Sequence, residues 1–432
     1  MDRLTAAQAA ARLGVRTETL YAYVSRGLIS RDRDGRGSSF DVLEVERFAR
    51  SRRRKPEAVR GPAPAAGSDG SPLGVIDTDV ALIDDGELWY RGIPVTDLVF
   101  GEGDVDGAGI GRFDAVVRWL LEGTARPDPD AEPLPSPGTV SYARRALDVL
   151  PSEAPAFSRL LSAVSALAAT DPERFDLAPP TVARVAVRLI GGLTDALPLL
   201  GPAPAPHEPV AGRLWPRLTA AAAAPHRVAV LDAALVLLVD HDMAASTVAA
   251  RAAASARAHP YAVVAAGLGA LDSALHGAVS GEAVRMLREV AAGVEPATAV
   301  GTAARRGGSG VPGFGQPLYP DGDPRARTLL SVLGELSDPA VVRAREAAES
   351  VSGLVRSRTG LRPSIDLALA TMMLAWDMPD DAGETVFAIA RSAGWCAHAL
   401  DEYGRTPLRL RPRGRYTGPD PADVQRAVSR AR

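Results

Sequence analysis

A mainly α fold follows from three features of the sequence. From Ala108 to Leu400, apolar residues recur at helical spacing in runs punctuated by proline and glycine. Ahead of them, Gly74–Leu98 alternates apolar and polar residues around Asp84-Asp85-Gly86, the pattern of a short β-hairpin. At the N-terminus, Thr5, Gly14, Thr17 and Gly27 mark off two short helices, each with a start and a stop signal. A chain of 432 residues, 46% hydrophobic, has enough apolar surface for two or three domains.

The first unit spans residues 1–54. Thr5 caps a predicted helix Ala6–Leu13, Gly14 turns the chain, and Thr17 caps a second helix through Val24. Leu28-Ile29-Ser30, a polar loop Arg31–Ser39 and Phe40-Asp41-Val42 read as a small β-wing, and Val42–Arg52 as a third helix. This order resembles the winged helix-turn-helix heads of the MerR and excisionase type. The resemblance implies DNA binding through the start of the second helix, with Arg16, Thr17, Thr19 and Tyr21 near the bases and Arg36 in the wing near phosphates. A helical module for protein contacts is the other reading of the same residues.

Residues 55–72, KPEAVRGPAPAAGSDGSP, hold almost no large apolar side chain and read as a flexible linker that couples the head weakly to the rest. Charge divides along the same line. Residues 1–60 carry 14 basic against 8 acidic side chains, whereas the remainder carries 35 against 44, so a basic head precedes an acidic body.

In the body, residues 73–432, helices are predicted over Ala108–Leu121, Pro137–Leu150, Pro155–Ala169, Pro180–Ile190 and in a series from Arg213 to Leu400. Proline opens several of them, where its missing N–H is harmless. Pro127–Pro137 and Gly201–Pro209 read as surface loops.

Composition excludes several chemistries. Lys55 is the only lysine, so the body holds neither a Schiff-base lysine nor the lysine of a phosphate-binding loop. One cysteine, Cys396 in an apolar helix, excludes a disulfide framework and a cysteine-rich metal site, and reads as a small core residue. No run of eighteen strongly apolar residues predicts a membrane span, and the N-terminus lacks a signal-peptide pattern; the expectation is a cytoplasmic protein.

The chemistry concentrates between Val239 and Leu287, where His241 and His276 interrupt Ala-rich helical sequence. An imidazole in a Gly-flanked break between buried helices needs polar partners, which points to a site. The blocks Asp240-His241-Asp242-Met-Ala-Ala-Ser-Thr247 and Ala274-Leu-His276-Gly-Ala-Val-Ser-Gly-Glu-Ala-Val284 resemble two blocks of the citrate synthase family. Gly310-Val-Pro-Gly-Phe-Gly-Gln316-Pro-Leu-Tyr-Pro-Asp-Gly-Asp-Pro-Arg325, Arg362-Pro-Ser-Ile-Asp366, the helix around Arg391 and Arg411-Pro-Arg413 follow in family order. The resemblance runs from about Gly74 to the C-terminus and implies large and small helical domains of the citrate synthase type.

It also implies a condensation of acetyl-CoA, or a related acyl-CoA, with oxaloacetate, in which acetyl-CoA is a substrate and no cofactor or metal is needed. The implied catalytic residues are His276, Asp366 and Gln316, the last standing where the family has a histidine. Substrate carboxylates fall to His241, Arg325, Arg391 and Arg411, the last reaching a neighbouring subunit's site in a homodimer, and CoA to Arg305 and Arg306. These side chains suit the reaction: a carboxylate takes the proton of a weakly acidic thioester methyl, a donor steadies the enolate, and forked cations hold carboxylates. Taken singly, His241 and His398 could each be a satisfied core histidine and Asp366 a helix cap. A ligand-sensing, DNA-binding regulator built on the same fold is the alternative function, favoured by Gln316 and the head.

Overall fold

The computed structural model describes residues 3–34, 37–53, 76–101, 109–205, 207–273, 277, 279–306, 310–412 and 417–418. His276, Arg36 and the expected linker 55–72 lie outside the described residues.

The N-terminal unit runs β1 (Arg3–Thr5), α1 (Ala6–Arg12), α2 (Thr17–Ser25), β2 (Asp32–Asp34), β3 (Gly37–Asp41) and α3 (Val42–Arg53). Thr5 starts α1 as expected, through a reciprocal cap: its hydroxyl accepts from Gln8 N–H at 3.3 Å and its own N–H donates to Gln8 Oε1 at 2.9 Å. Thr17 does not cap α2. The N-cap is Arg16, whose side chain makes no capping bond, and Thr17 is the first helical residue. In place of the two-stranded wing read from the sequence there is a three-stranded sheet, because β1 pairs antiparallel with β3 and the order is β1-β3-β2. Leu4, Leu20, Ile29 and Phe40 close its small core.

The body opens with an antiparallel sheet, β4 (Ala81–Asp84), β5 (Glu87–Tyr90) and β6 (Ile93–Pro94), whose first turn places Asp85 and Gly86 at φ 47° and 75°. Two successive positive φ values are what an Asp-Gly hairpin turn supplies at little steric cost. Helices follow: α4 (Val95–Phe100), α5 (Arg112–Glu122), α6 (Val140–Asp148), α7 (Ala156–Thr170), α8 (Pro179–Ala196), α9 (Val210–Leu218) and α10 (Pro225–Leu238). The chain continues through α11 (Ala245–Ser255), α12 (Pro260–Leu271), α13 (Val279–Ala291), α14 (Pro296–Arg306), α15 (Pro324–Gly334), α16 (Pro339–Thr359), α17 (Ile365–Ala375) and α18 (Ala382–Tyr403). Prolines occupy the first turn of α8, α10, α12, α15 and α16, as the sequence indicated.

The last helix organises the rest. α18 is buried along nearly its whole length and packs on α8, α10, α11 and α12, with Trp395 and Cys396 fully enclosed. A helix buried on nearly every side has neighbours on every side, which is why the site residues on α18 and at the end of α10 come together deep in the molecule. Among the described residues no helix is long and apolar enough to cross a membrane.

The head is not loosely coupled to the body, which corrects the expectation drawn from the linker. α3 packs on α14 and α16, Arg12 Nη1 donates to the carbonyl of Ala304 at the end of α14 (3.0 Å), and Asp41 lies 3.8 Å from Arg358 on α16.

Candidate active site

The turn after α10 carries His241 and is fixed from three sides. The Tyr90 hydroxyl accepts from Asp240 N–H at 3.2 Å and stands 3.1 Å from the Asp240 carbonyl, tying the turn to β5. Asp240 Oδ1 accepts from Asp242 N–H at 3.0 Å, which steadies Asp242 at φ 55°. Asp240 Oδ2 lies 3.2 Å from His398 Nε2, an approach that falls short of an aligned hydrogen bond. His398 Nδ1 accepts from Arg251 Nη1 at 2.9 Å; since a guanidinium only donates, the ring proton sits on Nε2, facing Asp240. Arg251 in turn holds Asp401 and Glu402 at 2.8 and 2.9 Å. His398 is thus a buried core histidine bonded through Nδ1, standing behind the turn that bears His241.

The Gln316 block and the Asp366 block are laced together by main-chain bonds. Gly315 N–H donates to Arg362 O at 3.0 Å and Ser364 N–H to Gly313 O at 2.9 Å, while Phe314 and Pro363 form an isolated bridge. Asp323 completes the lacing: it caps α15 through Arg325 N–H, accepts from Ile365 N–H at 3.1 Å, and grips the Arg325 guanidinium with both oxygens. Burial opposes the charge on Arg325, but the Asp323 carboxylate outweighs it and raises the guanidinium pKa.

Asp366 occupies the first turn of α17, half-buried, with Ser364 Oγ donating to its Oδ2 at 3.1 Å. Loss of water pushes its carboxyl pKa above the usual range, against the pull of Arg325 and the Ser364 hydroxyl. A carboxylate so placed is a better proton acceptor than a solvated one.

Tyr319 joins the two halves. Its ring lies 5.5 Å from that of His241, and the Arg325 guanidinium stands 5.7 Å from its centroid. Its hydroxyl is buried with no hydrogen-bond partner among the described residues. Arg391, fully buried on α18, donates Nε to Leu238 O at 2.9 Å and stacks over Phe387, yet its Nη1 and Nη2 have no partner among the described residues. Burial pushes its pKa down to about 10, with Asp240 the largest opposing influence. A guanidinium held by one nitrogen, with its two outer nitrogens unengaged inside the protein, is arranged for an anion.

The structure therefore gathers His241, Arg325 and Arg391 around Tyr319, with Asp366 beside Arg325. Gln316 lies on the wall of an adjoining cleft of about 570 Å³ that Tyr319 and Asp323 also line, with its side-chain oxygen 3.4 Å from Leu318 N. Arg306 is occupied by Glu289 at 2.9 Å and Glu282 at 3.5 Å, Arg305 reaches Thr302 at 3.4 Å, and Arg411 is exposed beyond α18. In the head, Arg16 and Tyr21 are exposed and Thr17 and Thr19 half-buried. Tyr319, Asp323, Tyr90 and Asp240 escaped the sequence reading. The Asp323-Pro324 pair does carry a legible signal, an acidic N-cap before a proline, but its grip on Arg325 does not show in the sequence. Among the described residues no group of three or more His, Cys, Asp or Glu is arranged to hold a metal.

A family model for the citrate synthase C-terminal domain matches residues 71–413. Citrate synthase 2 of Bacillus subtilis is 31% identical over 270 residues, covering 60% of this chain and 72% of the relative. Citrate synthase of Haloferax volcanii is 35% identical over 191 residues, covering 43% of this chain and 49% of the relative. Among solved structures, the ternary complex of carboxymethyl coenzyme A and oxaloacetate with citrate synthase of Thermoplasma acidophilum superposes with a TM-score of 0.65 at 25% identity. It covers 80% of this chain and 94% of that one. Citrate synthase of Thermotoga maritima gives 0.62 at 24% identity with the same coverage, a likeness of fold.

Proposed function

Since the chain belongs to the citrate synthase family, we propose that it condenses acetyl-CoA, or a closely related acyl-CoA, with oxaloacetate to give citrate and CoA. The observation that carries this reading is the pair of unengaged Arg391 nitrogens in the same buried site as Arg325 and Asp366. Asp366 takes a proton from the thioester methyl, and His276 donates to the enolate oxygen that results. The enolate carbon attacks the ketone carbon of oxaloacetate while the Gln316 amide donates to the ketone oxygen. Water then cleaves the thioester and CoA leaves as the thiol. His241, Arg325, Arg391 and Arg411 of the partner subunit hold the two carboxylates of oxaloacetate in a homodimer, and Arg305 and Arg306 face CoA. A regulator without catalysis draws no support from the comparisons.

The test is CoA release from acetyl-CoA with oxaloacetate, with propionyl-CoA and other 2-oxo acids in parallel. No release from any pair by the folded protein would end the proposal. The finer assignments go beyond that resemblance: a winged helix-turn-helix head of the MerR and excisionase type over 1–54, a linker over 55–72 read from its composition, and the synthase body over 73–432, working in the cytoplasm. DNA contact by the head through Arg16, Thr17, Thr19, Tyr21 and Arg36 is supported by one further point: α3 packs on the body and Arg12 of α1 bonds to it, whereas Arg16 and Tyr21 on the second helix stay exposed. Retardation of duplex DNA that weakens steeply with salt tests it, and its absence at low salt refutes it.

A further inference from the structure

The cleft beside Gln316 has walls from two parts of the chain. Val311, Phe314, Gln316 and Arg362 come from the body; Ala11, Arg12, Glu46 and Ala49 come from the head. Arg12 is the polar side chain of interest. Its side chain is 7% exposed, its Nε pairs with Glu46 and its Nη1 donates to Ala304 O, but its Nη2 is buried with no hydrogen-bond partner among the described residues. A larger cavity of about 1450 Å³ elsewhere is also lined by arginines, yet Arg213 and Arg217 there are engaged by Asp195 and by main-chain carbonyls. Among the described residues, the buried side-chain atom left without a partner in that cavity is a hydroxyl, Ser136 Oγ, and not a guanidinium nitrogen.

We propose that Arg12 of the head is a ligand-binding residue of this cleft and takes a phosphate of acyl-CoA, so that the head completes the acyl-CoA site. The inference rests on the synthase reading above. A buried guanidinium nitrogen left without a partner is satisfied when an anionic oxygen reaches it, and phosphate suits the fork of arginine. The cleft adjoins Tyr319 and Asp323, so a thioester whose acyl end lies near Asp366 has its distal part within reach of the head. Arg362, exposed on the opposite wall, adds a second positive charge. Glu46 offsets part of the charge of Arg12 and holds its Nε, fixing the guanidinium plane.

The experiment compares the full-length wild type with Arg12→Met, using acetyl-CoA and S-acetylpantetheine, which has the thioester but no phosphate. The expected result is a rise in KM for acetyl-CoA of roughly tenfold, with KM for S-acetylpantetheine and kcat unchanged, as for loss of one charge-assisted hydrogen bond. An equal change for both thioesters, or none, overturns the inference and leaves Arg12 as a structural tie. Should the variant fold poorly, hydrogen exchange in wild-type α1 decides: slowing by CoA and not by pantetheine supports the proposal, and no slowing by CoA refutes it. Calorimetric binding of CoA separates this inference from the synthase reading. CoA binding weakened by Arg12→Met in a protein that releases no CoA upholds the site and sinks the synthase, whereas normal turnover and CoA affinity in the variant do the reverse.

Discussion

Asp323 and Arg325 are locked together by two parallel hydrogen bonds, Nε to Oδ1 at 3.0 Å and Nη2 to Oδ2 at 2.8 Å, with both side chains inside the protein. The same carboxylate caps α15 and takes the N–H of Ile365, so one side chain positions Arg325 and the segment leading to Asp366. Asp323→Ala leaves a buried cation unpaired and should destabilise the fold by about 3–5 kcal/mol. Urea denaturation measures this; a loss below about 1 kcal/mol would mean that water replaces the carboxylate.

Asp366→Asn should lower kcat by roughly 100- to 10,000-fold, because the amide keeps the shape but takes no proton. It should also raise Tm. The carboxyl pKa is raised in the folded state by lost hydration, so its stabilising contribution belongs to low pH and is lost as pH rises through that pKa; at neutral pH the charged form is a burden that the amide removes. Turnover preserved in this variant would show that another group is the base.

The pH profile of kcat/KM for the acyl-CoA should have an acidic limb set by Asp366. Since burial raises that pKa, activity should fall off at a pH above the ordinary aspartate value of about 3.9. Removing the Ser364 hydroxyl, which lowers the pKa, should move the limb further up, so Ser364→Ala gives the sign check.

Gln316→His should raise turnover with oxaloacetate about 5- to 150-fold, the equivalent of roughly 1–3 kcal/mol gained by a charged donor at the ketone oxygen. A variant slower than wild type would place the ketone elsewhere.

Gly394→Ala probes the His241 turn from behind. A Cβ there would clash with Val239 O and stand 2.6 Å from Asp240 Oδ2, both backed by the rigid core of α18. Overpacking of about 1–3 kcal/mol should accompany a higher KM for oxaloacetate, read by denaturation and by initial rates. Unchanged values on both would show that the turn yields freely.

Local signals made much of this fold legible in advance. Prolines at helix starts, the Asp-Gly turn and the Thr5 cap each act within four residues, and each appears in the structure close to where the sequence put it. The chemistry-bearing blocks were legible for a different reason: their residue types and order resemble a family. What could not be read is what depends on distance along the chain. Tyr90 meets Asp240 across 150 positions and Arg251 meets His398 across 147, and no spacing rule reports such pairs. The head's contact with the body was misjudged because a Pro/Gly/Ser linker says how freely a tether moves, not whether the surfaces at its ends fit.

The unengaged nitrogens of Arg391 also bear on how long the protein survives. Without an anion, the fold carries a buried cation whose hydration has been removed and only partly replaced. A carboxylate ligand that meets those donors binds the native state and not the unfolded chain, so at a hundred times its Kd it adds about 2.7 kcal/mol. Protease resistance is therefore expected to rise with the concentration of such a ligand, because molecules that hold it open less often than empty ones.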